Sequence, residues 1–355
     1  SCQKSNRHDT LLIFQDVIRN QYTEEDLSLA FFELANATTV GYRLYEEEVE
    51  PGRSETKGGG NTTDSIGRRK KDLSPNTPIV VTVQQDVTAC GNHTGGIVWE
   101  TSYLLISYML YVQNTRRSSW GRVLEVGAGC GLLGLTLFAS EACDEIVLTE
   151  TEEVFTHLQA NLERFSQQIK DTPSIQSIES RPKIHRCQAQ ILDWRWKKKE
   201  TLVSLNLASS SSRRQQQQPY FDTIVGTDVI FSPTLVSPLL RTLRDVSNDQ
   251  TIVYLCVQIR CEDSHQLFHR KAGRYGWQMH DLSHELENIP ECSWGRQLEC
   301  HLYQMTRITS VSKSSSSSST GGMADHLKGS KGDKGKKRNN ERSSRETESK
   351  KVKIT

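Results

Sequence analysis

Residues 123–134 read Val-Leu-Glu-Val-Gly-Ala-Gly-Cys-Gly-Leu-Leu-Gly. Val123 to Val126 form a short apolar run carrying one carboxylate, Glu125. Three glycines then alternate at Gly127, Gly129 and Gly131, and a helical apolar pattern starts at Leu132. A strand that turns into a helix through alternating glycines lets the backbone approach a nucleotide closely and offers free N–H groups at the helix start. The same stretch holds a dinucleotide frame, Gly129-x-Gly131-x-x-Gly134, so the glycines alone do not choose a ligand. Glu125 is expected to choose. A carboxylate at the mouth of this turn repels a pyrophosphate and suits the cationic amino and sulfonium groups of S-adenosyl-L-methionine.

Outward from this turn the pattern alternates strand and helix, which implies an α/β fold around a parallel sheet. Strands are expected at 122–126, 145–149, 184–189, 221–226 and 251–257, with helices at 132–140, 152–168 and 233–246. The last of these helices has start signals twice, Ser232-Pro233 and Ser237-Pro238. A helix near 263–275 and two further β-type runs, 277–282 and 297–307, add a terminal hairpin. Upstream, a helix is expected over 99–112, a hairpin from 40–45 and 78–83, and two short helices within 9–36. Thr23 with Asp26 three residues later makes a capping box for the second of those. Segments 51–75 and 197–219, rich in Gly, Ser, Gln and charge, are expected to be disordered. The chain therefore divides into an N-terminal extension of helices plus hairpin (1–93), a sheet domain (94–308) and a disordered Ser- and Lys-rich tail (309–355).

Composition supports that division. Only 35% of the 355 residues are apolar, low for a fully folded chain. Of 44 Lys+Arg and 43 Asp+Glu, 12 and 5 lie from Thr309 onward, so the tail carries +7 and the preceding 308 residues −6. An acidic body argues against a nucleic-acid partner. The tail cluster Lys331-x-x-Lys334-x-Lys336-Lys337-Arg338 reads either as an import or acidic-partner signal or as a plainly solvated segment. Nine scattered cysteines without a Cys-x-x-Cys spacing argue against zinc and a disulfide framework, and favour a cytoplasmic or nuclear setting. The longest apolar run, 103–112, is too short to span a bilayer.

Three further constellations fall at the ends of expected strands. Glu150 lies 21 residues after Gly129, the interval at which an acidic residue takes both ribose hydroxyls, although helix capping is an alternative. Asp193 can accept from an adenine amine and Trp194 can cover the ring, or the pair is an ordinary loop. Asp228 can orient an incoming amine and Phe231 can face its cation, or they are a strand-end cap and a core aromatic.

Together these residues resemble the protein-lysine methyltransferases of methyltransferase family 16, which act on chaperones, the p97-type ATPase and translation elongation factors. The resemblance covers roughly 94–307. It rests on Gly96-Ile97-Val98-Trp99-Glu100, Glu125-Val126-Gly127-Ala128-Gly129-Cys130-Gly131, Asp193-Trp194, and Asp228 with Phe231. The block Val257-Gln258-Ile259-Arg260 adds a fainter likeness to the elongation-factor-2 branch. Glu100 and Glu150 replace the commoner Asp, and Phe231 lacks the hydroxyl of a frequent Tyr.

The resemblance implies a Rossmann-like seven-stranded class I S-adenosylmethionine-dependent methyltransferase fold and a protein-lysine N-methyltransferase. It implies cofactor contacts from Trp99, Glu125, Gly127, Gly129, Gly131, Glu150, Asp193, Trp194 and Asp228. Catalytic roles fall to Asp228 and Phe231, with no metal. A monomer acting on a protein such as an elongation factor or chaperone is expected, in the cytoplasm and also the nucleus, without membrane or nucleic acid. The alternatives are a small-molecule or nucleic-acid methyltransferase, or a catalytically silent scaffold. The Asn/Asp-Pro-Pro-Tyr run of base-modifying amino methylases is absent from the chain.

Overall fold

The computed structural model describes residues 10–19, 23–44, 79–87, 94–171, 184–207 and 220–308. In chain order its elements are β1 (Leu11–Ile13), α1 (Phe14–Ile18), α2 (Glu24–Asn36), β2 (Thr39–Leu44), β3 (Ile79–Gln84), α3 (Glu100–Arg116), β4 (Arg122–Val126), α4 (Leu132–Ala139), β5 (Glu145–Glu150) and α5 (Glu152–Asp171). They continue as β6 (Cys187–Ile191), α6 (Lys198–Ser204), β7 (Thr223–Thr227), α7 (Pro233–Asp245), β8 (Ile252–Gln258), α8 (Glu262–Ala272), β9 (Trp277–Asp281), α9 (Ser283–Leu286) and β10 (Cys300–Arg307).

Seven strands form one sheet in the order β6-β5-β4-β7-β8-β10-β9. The first five are parallel, and β10 runs antiparallel to both β8 and β9, so the terminal hairpin closes the sheet as expected. The chain leaves β4 to build one half of the sheet and returns at β7 to build the other. Ligands of open α/β sheets bind beyond the strand carboxyl ends at such a reversal.

Strand alternation sorts the central residues between two cores. Val123, Ile146 and Leu148 pack toward α3 and α4, whereas Leu124, Val126 and Val147 pack toward α7 and α8. All eight residues of α4 are buried, because a second, three-stranded sheet, β1-β2-β3, covers its outer side. In that sheet β2 and β3 are antiparallel with Thr39 opposite Gln84 and Leu44 opposite Ile79. The expected hairpin is present. Its intervening segment 51–75 lies outside the described residues, as do 208–219 and the tail from Thr309.

The N-terminal elements are tied to the sheet by aromatic packing and by two buried amides. Phe14 stacks on Tyr103 of α3 with ring centres 4.4 Å apart. Asn161 of α5, fully buried, accepts from Gln84 N–H at 2.9 Å and donates to the carbonyls of Gln84 (2.9 Å) and Cys130 (3.0 Å). Gln85 donates to the carbonyls of Leu34 and Ala37 and accepts from Val98 N–H at 2.6 Å. β3 is thereby joined both to the glycine turn and to the segment that enters α3.

Several local expectations change. The Thr23–Asp26 capping box forms, with reciprocal bonds of 3.1 and 3.2 Å, but a short strand, β1, precedes α1. The run at 184–189 opens as a 3₁₀ turn over Ile184–Arg186 before β6 starts. The expectation of disorder from 197 onward is corrected by α6. Glu200 accepts from Lys197 N–H at 2.8 Å at its start. Thr201, Leu205 and Leu207 are buried, the two leucines in the α7 and α8 core, so the segment hides apolar surface that its lysine-rich start conceals.

Replacing Asn161 by Leu keeps the volume but strands Gln84 N–H and the Cys130 carbonyl without partners. Chemical denaturation of Asn161→Leu should show a loss of about 2–4 kcal/mol. A loss within ~0.5 kcal/mol would mean that the amide does not join the two sheets.

Candidate active site

A cleft of about 310 Å³ opens at the carboxyl edge of the sheet, where β4 and β7 diverge. That volume lies at the lower end of small-molecule sites. Its floor is the glycine turn. Gly127, Gly129 and Gly131 have φ of +67°, +55° and +84°, left-handed values that any side chain would resist. A Cβ at Gly129 would also stand 3.2 Å from the Gly95 carbonyl, so the segment before α3 closes over the turn only because the position is bare.

Glu150 ends β5 on the cleft wall. Its Oε1 accepts from Gly129 N–H at 2.9 Å and its Oε2 from Thr151 N–H at 2.8 Å. Burial raises its pKa while these two N–H donors pull it down. Among the described residues no cationic side chain pairs with it. A carboxylate so placed keeps lone pairs for neutral hydroxyl donors, which suits a ribose. With the bare glycine turn beside it, this wall fits the nucleoside of S-adenosyl-L-methionine.

Glu125 is a correction. Alternation turns it to the α4 face of β4, beside Val123, and it is 2% exposed and absent from the cleft wall. Its Oε2 accepts from Gly134 N–H at 3.0 Å. A Cβ at Gly134 would fall 2.5 Å from that oxygen and 2.2 Å from Leu148 Cδ2. The third glycine of the dinucleotide frame thus serves helix–strand packing. Glu125 does not face the cleft, contrary to the expectation that it would meet a cationic ligand there.

Asp193 and Trp194 follow β6 and line the cleft, but Asp193 is already engaged. Arg195 Nε and Nη2 take both of its oxygens, the shortest contact being 2.6 Å, and Arg195 N–H bonds Oδ1. These bonds hold the Asp193 carboxyl below its usual range. Asp193 therefore lines the cleft as one half of an ion pair with Arg195, and its oxygens keep further acceptor capacity. Trp194 lies against the glycine turn: its Cζ2 is 3.4 Å from where a Gly127 Cβ would sit.

The other end of the cleft holds Trp99, Asp228 and Phe231. Trp99 precedes α3 and its indole N–H donates to the Thr94 carbonyl at 3.1 Å. Phe231 is 38% exposed, an aromatic face left at the opening. Asp228 has a left-handed φ of +50°. Its Oδ1 accepts from Gln258 N–H at 2.8 Å and its Oδ2 from Arg260 Nη2 at 3.0 Å. Burial pushes its carboxyl up and Arg260 opposes that push. Asp228 lines the cleft as expected, yet with both oxygens engaged by the protein. Sequence reasoning missed the partnership of Arg260 with Asp228 and Glu100, which no local spacing reveals. It also passed over Gly95, whose only signal is the Gly95-Gly96 pair before Trp99.

Among the described residues no cluster of three or more His, Cys, Asp or Glu is arranged to hold a metal ion, and no helix is long and apolar enough to cross a membrane.

Residues 77–272, more than half of the chain, match the sequence model of the family described as lysine methyltransferase. The chain is 23% identical over 207 residues to an uncharacterized protein of Dictyostelium discoideum, covering 55% of this chain and 54% of that protein. It is 21% identical over 211 residues to the protein N-lysine methyltransferase METTL21A of Danio rerio, covering 59% and 77%. The chain thus spans about half the length of the first relative and three quarters of the second. Among solved structures, the methyltransferase domain of bacterial CtHen1 is 13% identical with a TM-score of 0.38, covering 59% of this chain and 99% of that one.

Burial pushes Glu125 up to about 8 from an ordinary 4.5. Between those values the folded protein keeps a proton that the unfolded chain has released. The stabilisation is therefore complete below about 4.5 and is lost as pH rises through about 8. Thermal melts should show Glu125→Gln lacking the decline between about pH 4.5 and 8, at most about 5 kcal/mol, with unchanged affinity for S-adenosylhomocysteine. Loss of nucleoside binding by a folded Gln variant would return Glu125 to the cleft.

Proposed function

Because the chain belongs to the lysine methyltransferase family, we propose that it transfers the methyl group of S-adenosyl-L-methionine to a lysine side chain of another protein. The observation that carries this reading is one cleft with two unlike ends: the glycine turn with Glu150 and Trp194, and Trp99 with Asp228 and Phe231. Glu150 would accept from ribose hydroxyls, Trp194 would cover the base, and the backbone of Gly127 to Gly131 would admit the amino-acid portion.

When bound, S-adenosyl-L-methionine supplies a methyl group on a sulfonium that leaves as a neutral thioether. The protein's share is then positioning, since an aligned amine within about 3–3.5 Å needs no covalent help. Phe231 offers an aromatic face to the lysine stem and head at the opening. Trp99 and Asp228 close the far wall and keep water from the approach. The amine must arrive without its extra proton, which passes to solvent, and the lone pair so freed forms the new C–N bond. The lysine substrate agrees with the N-lysine activity named for the Danio rerio relative. An elongation factor or chaperone is the substrate class proposed.

Purified protein incubated with methyl-tritiated S-adenosylmethionine and a heat-treated protein extract should place tritium in methyllysine after acid hydrolysis. Label confined to small molecules or nucleic acid would favour another methyltransferase class. Calorimetry should show Glu150→Ala weakening S-adenosylhomocysteine binding by about 2–3 kcal/mol, from two lost charge-assisted bonds. Unchanged affinity would reduce Glu150 to a brace for the glycine turn.

A further inference from the structure

Arg260, two residues beyond β8, has no part in the reaction as described so far. Its Nη2 reaches Glu100 Oε2 at 2.6 Å and Asp228 Oδ2 at 3.0 Å. Its guanidinium carbon lies 4.6 Å from the centre of the Trp99 ring. One cation therefore serves a carboxylate at the start of α3, a carboxylate after β7 and an indole, and two of those three groups line the cleft. The Asp228 side chain is only 6% exposed, so solvent screens this arrangement little.

Two carboxylates and an aromatic face are also what would bind a lysine ammonium. That would defeat methyl transfer, because an ammonium nitrogen has no lone pair. A neighbouring carboxylate stabilises the charged form of an amine and a neighbouring cation disfavours it. With Arg260 the three charges sum to −1; without it they sum to −2. We propose, building on the lysine-methyltransferase reading, that Arg260 is a positioning residue that offsets one of the two negative charges of Asp228 and Glu100, so that the lysine reaches the methyl donor more readily as a neutral amine.

The other groups facing this cluster do not replace it. Gln258 contributes only its backbone N–H to Asp228. The thiols of Cys256 and Cys300, on β8 and β10, are pushed up by burial and stay uncharged. Arg260 itself is kept charged by the two carboxylates even though burial works against it.

Two measurements read this field, and one needs no protein substrate. S-adenosylmethionine carries a cationic sulfur and S-adenosylhomocysteine a neutral one, so the ratio of their dissociation constants reports the charge at the reacting centre. In Arg260→Met that ratio should shift toward S-adenosylmethionine by roughly three- to tenfold at low salt. Glu100→Gln should shift it the opposite way, and Arg260→Lys should leave it near the parent value. In the tritium assay, the rising limb of the pH–rate profile should move to higher pH by about one unit in Arg260→Met, giving about tenfold slower transfer at neutral pH and convergence with the parent in alkali. Adding Glu100→Gln to Arg260→Met should move the limb back.

A variant slowed equally at every pH, with the two nucleosides weakened in proportion, would make Arg260 a merely structural tie and overturn the inference. Parent protein that binds neither nucleoside would instead overturn the methyltransferase reading, and this inference with it.

Discussion

The bond from Gly134 N–H to Glu125 sets how closely α4 lies on β4, and the cleft is built outward from that contact. Helix and strand meet where Gly134 has no side chain, since a Cβ there would collide with both Glu125 and Leu148. At that separation the three preceding glycines must turn through left-handed conformations to join the two elements. That turn aims Gly129 N–H at Glu150, which in turn fixes the Glu150 carboxylate on the wall. Burying an acid is costly, and Glu125 meets the cost by keeping its proton to about pH 8. It is a neutral acceptor under a helix, and its contact is with the helix backbone.

How legible this was in sequence follows from the same physics. β4 is read correctly to the residue, Arg122 to Val126, because a central parallel strand is buried on both faces and shows as an apolar run, here interrupted only by Glu125. α5 is legible from its one-sided apolar stripe, including Val154, Leu158 and Phe165. Glu125 is misassigned although the needed information is present. Counting in twos from Val123 places it on the α4 face, whereas the motif reading looks only at its distance from the glycines. α6 is hidden because Lys197 to Glu200 are all charged, the one buried residue within it is the polar Thr201, and the buried Leu205 and Leu207 lie beyond its end. Arg260 lies 160 residues from Glu100 and 32 from Asp228. No periodicity links residues that meet only because three elements end at one edge of the sheet.

The N-terminal elements bear on the site through backbone positions and not through side chains in the cleft. Gln85 holds Val98 N–H with the same side chain that satisfies the carbonyls ending α2. Trp99 and Glu100 follow at once, so α2 and β3 help to set where α3 begins. Asn161 does the same for the other side of the cleft by joining β3 to the Cys130 carbonyl inside the glycine turn. Both amides are buried, where an unmade hydrogen bond is expensive. Each therefore acts as a stiff link, and β3 becomes a common reference for the two walls.

The cleft's two acidic ends are compensated in opposite ways, and this separates their roles. Among the described residues Glu150 meets only backbone N–H donors, so its negative charge remains available to neutral hydroxyls. Asp228 meets Arg260, which it shares with Glu100, so its charge is partly offset before any ligand arrives. Were the arrangement reversed, a cation beside Glu150 would compete with ribose hydroxyls, and an uncancelled Asp228 would grip an ammonium. The nucleoside end needs a strong acceptor, whereas the amine end needs a polar wall whose negative field is reduced. The same residue class can fill both positions because its neighbours, two amides in one case and an amide with a guanidinium in the other, decide what the carboxylate does.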